Sequence, residues 1–314
     1  MQKDIVLIMT LFFYIKVKVG KFLANIISGV VRDKEKRHAL RQKLDPLNPS
    51  RCIAYLSKYY TDVTPIAPFD SVSKEEVKDY IWVCWLQGFD AAPVIVQNCI
   101  RSVQKHKPEG YEVVIITSQN YHQYVTLSDY IVQKWQKGLI SNTHFSDLLR
   151  IFLLARHGGY WIDATCLMTS SIPDIVAKKK LFMFRSHGEF SFTYIQSCFI
   201  HCERNHYVMR KWCASMSEYW RREEGLIHYF LHHLMFQTLM QNDPQFAKEV
   251  STIPVMSDEP MHILLKAMLG GEHYSEELIA KAKESTFFQK LTYKFPPQLL
   301  DDPTSLAFYF SKKL

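Results

Sequence analysis

The 314-residue sequence lacks several features that mark common classes of protein. Its seven cysteines form an odd set without a C-x-x-C pair, which indicates a reducing compartment. No H-E-x-x-H motif, nucleic-acid-binding motif or internal repeat is visible. What the chain does have is 47% apolar and 14% aromatic residues, the composition of a globular protein with one large core or two smaller ones.

The chain also lacks a strong excess of charge. A net charge of +7 and a sequence pI near 8.9 suit an anionic partner, such as a nucleotide phosphate or a lipid surface. Because the basic residues are not clustered on an element that could fill a nucleic-acid groove, we expect no nucleic-acid partner.

No hydrophobic run is long enough to cross a bilayer. The longest uncharged stretch near the N-terminus, Ile5 to Ile15, has eleven residues, whereas a spanning helix needs about 20. It lacks a small-residue cleavage site and is followed by Lys16, Lys18 and Lys21. Two interpretations remain open: residues 1–31 bind the anionic inner face of the cell membrane, or they pack on the rest of the protein.

From Tyr80 onward, strand and helix patterns alternate. The order β-α-β-α-α-β predicts an α/β fold with a Rossmann-like, mostly parallel sheet. We therefore expect residues 1–75 to form a helical segment and linker, and residues 76–314 to form the main domain. The segments behind this prediction are "YIWVCWLQG", "APVIVQNCIRSVQKH", "YEVVIIT", Asp129 to Lys137 and "HFSDLLRIFLLARH", with later strands at "LFMFRS" and "YIQSCFIHCE" and helices between His206 and Leu269.

The stretch "HFSDLLRIFLLARHGGYWIDAT", His144 to Thr165, predicts an unusual helix followed by a strand. Its helical part is apolar nearly all round, yet it contains Asp147 and Arg150, which are three residues apart and can pair. A buried charge is costly unless it is paired or faces a polar site. The sequence thus predicts a polar pocket beside this helix.

Asp163 follows the short strand that comes after two glycines. In open α/β sheets, ligands bind beyond the carboxyl ends of the strands, so this acid suggests a metal or sugar ligand. The alternative is an aspartate that caps the next turn.

Three histidines, His228, His232 and His233, lie in "LIHYFLHHLMF". The first two are spaced i, i+4 and could hold zinc on a helix. Partly buried helix histidines are the favoured interpretation, because no H-E-x-x-H motif accompanies them.

The blocks "IWVCWLQG", "SDLLR" and "GGYWIDAT" occur in the order found in the capsular polysaccharide synthesis proteins, and residues 80–300 resemble that family. The family is similar to glycosyltransferases with a DXD sugar-binding motif. The resemblance implies a GT-A-like fold with added N-terminal and C-terminal helices. It also implies a nucleotide-sugar donor such as a UDP-sugar, Mn²⁺ or Mg²⁺, and metal-dependent transfer to a polysaccharide with retention at the anomeric carbon. The acceptor would be lipid-linked or an oligosaccharide.

The resemblance also implies roles for individual residues. Trp82 would stack on the donor base, and Asp147 and Arg150 would hold the ribose and sugar hydroxyls. Asp163 matches the first acid of the motif and would bind the metal, and Asp163 and Arg150 would be the catalytic residues. For Trp82 the alternative is a core aromatic, and Trp85 competes for either role.

Two further positions bear on the phosphate end of the donor. The second acid of the motif is replaced by Thr165, which leaves one carboxylate for the metal. "KLTYK", Lys290 to Lys294, resembles a basic block of the family, and Lys294 would contact phosphate unless it is a solvated charged edge.

Two other classes of function compete. A metal-dependent phosphoesterase would need several His and Asp ligands, which do not cluster around Asp163. A nucleotide-sugar-binding scaffold of a polysaccharide assembly complex, with catalysis lost through Thr165, remains the main alternative. Transfer by a cytoplasmic glycosyltransferase is the favoured prediction, and contact with the inner face of the cell membrane is one of the two interpretations of residues 1–31.

Overall fold

The structure is a computed structural model. The residues it describes are 19–20, 22–23, 25–33, 36–37, 40, 44–45, 48–70 and 78–312. The apolar run Ile5 to Ile15 and the three lysines that follow it lie outside the described residues.

A five-stranded sheet forms the centre of the protein. Its strands are β1 Asp79–Cys84, β2 Tyr111–Ile116, β3 Gly159–Ile162, β5 Leu181–Arg185 and β6 Ile195–Cys202, in the spatial order β2-β1-β3-β6-β5. β1 pairs in parallel with both β2 and β3, whereas β6 runs antiparallel to β3 and β5. Four strands therefore share one direction, and the prediction of a mixed α/β fold with a mostly parallel sheet is confirmed.

A second, two-stranded sheet was not predicted. It joins β4, Cys166–Met168, to β7, Phe288–Lys290, in antiparallel register, with Cys166 opposite Lys290. This small sheet connects the turn after β3 to a segment near the C-terminus.

Helices surround the sheets. They are α1 Pro49–Tyr59, α2 Val94–His106, α3 Tyr121–Tyr124, α4 Asp129–Gln136, α5 Asn142–His157, α6 Asp174–Ala177, α7 Tyr207–Arg222, α8 Leu231–Asn242, α9 Pro244–Ser251, α10 Ile263–Gly270, α11 Glu276–Ser285 and α12 Leu306–Lys312. Short 3₁₀ turns lie at Phe89–Ala91, Gly188–Thr193, Glu259–His262 and Pro297–Leu300. α5 packs against β1, β3 and α7, and α8 packs against α1, α7 and α9.

The N-terminal part of the described chain consists of a helix packed in the core and, before it, a segment with exposed apolar side chains. α1 buries Cys52 and Leu56 in the same core as the main sheet, although it precedes the predicted boundary at residue 76. Before it, the helical positions between residues 19 and 29 and the turn at Val30 leave six apolar side chains exposed: Val19, Phe22, Leu23, Ile26, Ile27 and Val30. Within the described ranges, no helix is both long and apolar enough to cross a membrane.

Two glycines make the tight connection between α5 and β3. Gly158 and Gly159 both have positive φ, at 71° and 90°. A Cβ on Gly159 would lie 2.2 Å from the carbonyl oxygen of Tyr80 in the neighbouring strand, and one on Gly158 would lie 2.6 Å from the backbone nitrogen of Arg204. Only glycine allows the backbones to approach this closely.

Replacing Gly159 by alanine is expected to lower the free energy of unfolding by about 3 kcal/mol, because strain at positive φ adds to a backbone clash. Urea denaturation of Gly159→Ala and Gly110→Ala compares the two effects. Gly110 has φ 81° but open space where a Cβ would be, so its variant should lose about 1 kcal/mol. Equal losses in the two variants would contradict the close approach.

Candidate functional site

α5 carries charged residues into the core. Its N-terminus is capped by Ser141, whose side chain accepts a hydrogen bond from the backbone N–H of His144, and its C-terminus ends at Gly158. As predicted, the helix is buried nearly all round, and Asp147 and Arg150 are 8% and 4% exposed. Charged side chains that are buried this deeply are stable only when they are paired, and Arg150 takes part in most of the ion pairs of this site.

The guanidinium of Arg150 joins three elements. Nη1 lies 3.2 Å from Oδ1 of Asp147 and donates to Oγ of Ser197 in β6, while Nη2 donates to Oδ1 of Asp163 at 3.0 Å. Its Cζ lies 4.9 Å from the ring centroid of Trp161, and Nε has no hydrogen-bond partner among the described residues. Arg150 thus fixes the end of β3 against α5 and β6.

Asp163 lies directly beyond the carboxyl end of β3, where the sequence predicted a ligand site. Its backbone N–H donates to the carbonyl of Cys198, and its Oδ1 also accepts from Nε1 of Trp161 at 2.8 Å. Burial raises the pKa of this carboxyl, but the positive charges of Lys290 and Arg150 outweigh burial and hold the pKa well below its ordinary value. Asp163 is therefore ionised at neutral pH.

Lys290 is the functional candidate that the sequence analysis missed. The β4–β7 pairing puts it opposite Cys166, and its ammonium donates to Oδ2 of Asp163 at 2.8 Å and to Oγ1 of Thr165 at 2.6 Å. Burial is the largest single influence and lowers the pKa of Lys290, but the charge and hydrogen bond of Asp163, together with the nearby Cys166 and Cys198, outweigh it, and the net shift of the pKa is upward. The sequence contained one signal for Lys290, the "KLTYK" block, but the prediction selected Lys294 from that block.

The donor set around Asp163 does not fit a divalent metal ion. One oxygen accepts from Lys290 and the other from Arg150, and Asp147 is paired with the same guanidinium. In the part of the chain that the structure describes, no three His, Cys, Asp or Glu side chains are grouped to hold a metal. An ion bound to Asp163 would have to displace an ammonium and lie beside a guanidinium.

The structure does not bring Trp82 to this site. Trp82 is 0% exposed, donates from Nε1 to the carbonyl of Gly158, and packs on Tyr80, Tyr124 and His157. The predicted contact with the donor base is therefore corrected to a core position. The cause is that β1 is covered on both faces, so that Ile81, Trp82 and Val83 are all buried.

Trp85 lies just beyond the carboxyl end of β1 and is only partly buried. Its ring meets that of Tyr293 edge to face, with centroids 5.2 Å apart. Lys294 is exposed beside them, with its ammonium 5.4 Å from the ring centroid of Tyr293. The predicted contact of Lys294 with phosphate stays a prediction.

The histidines of α8 belong to the surroundings of Arg150. His232 is buried and stacks on Trp212 at 4.0 Å, as expected for a helix histidine. His233 is partly exposed, and burial together with the charge of Arg150 lowers its pKa to about 3. It is a neutral and weakly basic group at neutral pH.

Comparisons with known proteins give a match to a protein family and similarities to solved structures. The capsular polysaccharide synthesis protein family matches residues 32–310. Among solved structures, the chain is similar to the PaToxG glycosyltransferase, with a TM-score of 0.39 and 13% identity over 88% of this chain and 100% of that chain. Among proteins with curated descriptions, none matches.

Proposed function

The chain belongs to the family of capsular polysaccharide synthesis proteins, and from this premise we propose that it is a glycosyltransferase that moves a sugar from a nucleotide-sugar donor to a growing polysaccharide. One observation supports the proposal: Asp163 lies beyond the carboxyl end of β3 between two cations, Arg150 and Lys290. The carboxyl ends of parallel strands are where α/β proteins bind nucleotides.

The proposed donor is a UDP-sugar whose diphosphate faces Lys290 and whose sugar faces Asp147 and Arg150. As the glycosidic bond to phosphate breaks, negative charge develops on the diphosphate, and fixed cations stabilise that charge. Trp85 at the rim of the site supplies an aromatic face for the base, in place of Trp82.

A panel of nucleotide sugars tests the proposed activity. The purified protein should slowly release free sugar from its own donor, and Asp163→Ala should reduce that release at least a hundredfold, because Lys290 and Arg150 lose the carboxylate between them. Val255→Ala, at an exposed position, serves as the matched control. Donor binding without turnover would instead favour the scaffold function.

For the stereochemistry we propose retention at the anomeric carbon. Inversion needs a general base, and both carboxylates of the site, Asp147 and Asp163, form ion pairs with Arg150. His233 is too weak a base to replace them, since its pKa is lowered to about 3. Proton NMR of the newly released sugar, recorded before mutarotation, tests this assignment, and a product of opposite anomeric configuration would contradict it.

We also propose that the enzyme works at the inner face of the membrane on a lipid-linked acceptor. The exposed apolar side chains at 19, 22, 23, 26, 27 and 30 follow the i, i+3, i+4 spacing of one helix face. In the sequence, Lys16, Lys18, Lys21 and Arg32 accompany them. An apolar face flanked by basic residues matches the chemistry of an anionic lipid surface.

Replacing Phe22 and Ile26 together by serine is expected to reduce co-sedimentation with anionic vesicles more than tenfold, since each buried apolar side chain contributes about 1.5–3 kcal/mol. High salt should also weaken binding by the full-length protein. Val255→Ser, which changes an exposed apolar residue elsewhere, should leave binding unchanged. Self-association without vesicle binding would contradict the membrane proposal and indicate a second copy of the chain as the occupant.

A further inference from the structure

The turn after β3 lacks the second acid of a two-acid metal site, and a lysine of β7 contacts the residue that stands in its place. Thr165 stands two residues after Asp163 and offers a hydroxyl instead of a carboxylate. That hydroxyl accepts from the ammonium of Lys290, which also occupies Oδ2 of Asp163. One lysine therefore contacts both positions of the turn from which a metal would be held.

We propose that Lys290 stands in the place of a divalent metal ion and binds the donor diphosphate directly, so that donor binding and turnover need no metal. This inference rests on the proposed glycosyltransferase function. Asp163 then acts as a positioning residue for Lys290 and not as a metal ligand.

The geometry of the ammonium supports this role. Lys290 has three N–H donors, and the contacts of the described residues use two of them, at Asp163 and Thr165. The side chain is 22% exposed, and the third donor has no partner among the described residues, so it is free to bind a ligand. A phosphate oxygen that accepts this hydrogen bond gains a charge-assisted interaction.

The backbone fixes the ammonium in place before a ligand arrives. β7 pairs with β4, and the N–H of Leu291 donates to the carbonyl of Thr165 at 2.8 Å. Lys290 is thus attached to the same turn that carries Asp163, and a preorganised cation stabilises developing charge without reorganisation. A metal ion could take its position only by separating Lys290 from both partners.

Calorimetric titration of the full chain with UDP and with GDP, each in EDTA and in Mn²⁺, tests the inference. We expect the dissociation constant of the nucleotide that binds to change less than twofold between EDTA and Mn²⁺. Lys290→Met should weaken binding at least a hundredfold, and Lys290→Arg should recover part of it. Lys283→Met, at an exposed position on α11, is the charge-matched control, and circular dichroism verifies the fold of each variant.

Electron paramagnetic resonance of Mn²⁺ with the protein alone gives a second readout, and no bound ion is expected. Nucleotide binding that requires Mn²⁺, or Mn²⁺ binding that Asp163→Asn removes, would overturn the inference while leaving the proposed function intact. If neither nucleotide binds in either condition and no nucleotide sugar is hydrolysed, both the inference and the proposed function fail. A Lys290→Met protein that is folded and binds normally would overturn the inference alone.

Discussion

Replacing Arg150 by methionine is expected to lower the free energy of unfolding by about 3–5 kcal/mol, the usual cost of breaking a buried ion pair. The change leaves Asp147 without its ion-pair partner at 8% exposure and deprives Asp163 of one of its two cations. Urea denaturation monitored by circular dichroism measures the loss. Arg101→Met, at an exposed position on α2, should change the free energy by less than about 0.5 kcal/mol.

A double variant distinguishes the stability lost through the unpaired charge from the stability lost through poorer packing. Arg150→Met combined with Asp147→Leu removes both members of the pair and should recover a large part of the stability, because the buried carboxylate of Asp147 is then gone and Asp163 keeps Lys290 as its cation. Asp147→Asn alone should cost less than Arg150→Met, since Arg150 keeps Asp163 and Ser197 as partners. A double variant that is no more stable than Arg150→Met would contradict the assignment of the cost to the buried charge.

Mild acid is expected to destabilise the protein strongly. Burial lowers the pKa of His201 to about 4, and burial with the charge of Arg150 lowers that of His233 to about 3. Unfolded histidine takes up a proton near pH 6.5, whereas these two remain neutral in the folded protein until the pH is much lower. Stability is thus fully present above pH 6.5 and is lost as the pH falls. At pH 5 each histidine should cost about 2 kcal/mol.

Urea denaturation at pH 7, 6 and 5 measures this dependence. His201→Gln should reduce the slope by about one proton, because glutamine does not titrate. Phe199→Leu, in the same strand, is the control: it should lower the free energy of unfolding by a similar amount at every pH. A stability that stays constant between pH 7 and pH 5 would contradict the burial of neutral histidines in the folded state.

Local patterns in the sequence were sufficient to predict much of the central fold. α5 and β3 were predicted because apolar periodicity, two glycines and a run of aromatic residues are all local signals, and the bounds of α2 and β2 lie close to the predicted segments. The antiparallel direction of β6 was not predicted, because strand direction depends on the path of the chain between strands and not on the residues of the strand.

The site was less accessible to sequence reasoning than the fold. Asp147, Arg150 and Asp163 come together because two of them share a helix and the third follows it after two glycines and a short strand. Lys290 was missed because it meets Asp163 across 127 positions of sequence, and the choice between Lys290 and Lys294 depends on the register of β7. The sequence alone could not decide which of Trp82 and Trp85 is the core aromatic, because that depends on which side chain the strand places in the core.

The distance along the chain between Asp163 and Lys290 also sets an order of events during protein synthesis. Every strand of the central sheet, together with α5, leaves the ribosome before β7 does. A nascent chain stopped before residue 288 carries Asp163 with Arg150 and Trp161 but without its ammonium. Contacts this distant in sequence form late. Premature termination before β7 would therefore remove Lys290 from the site while leaving the whole central sheet encoded and able to begin folding.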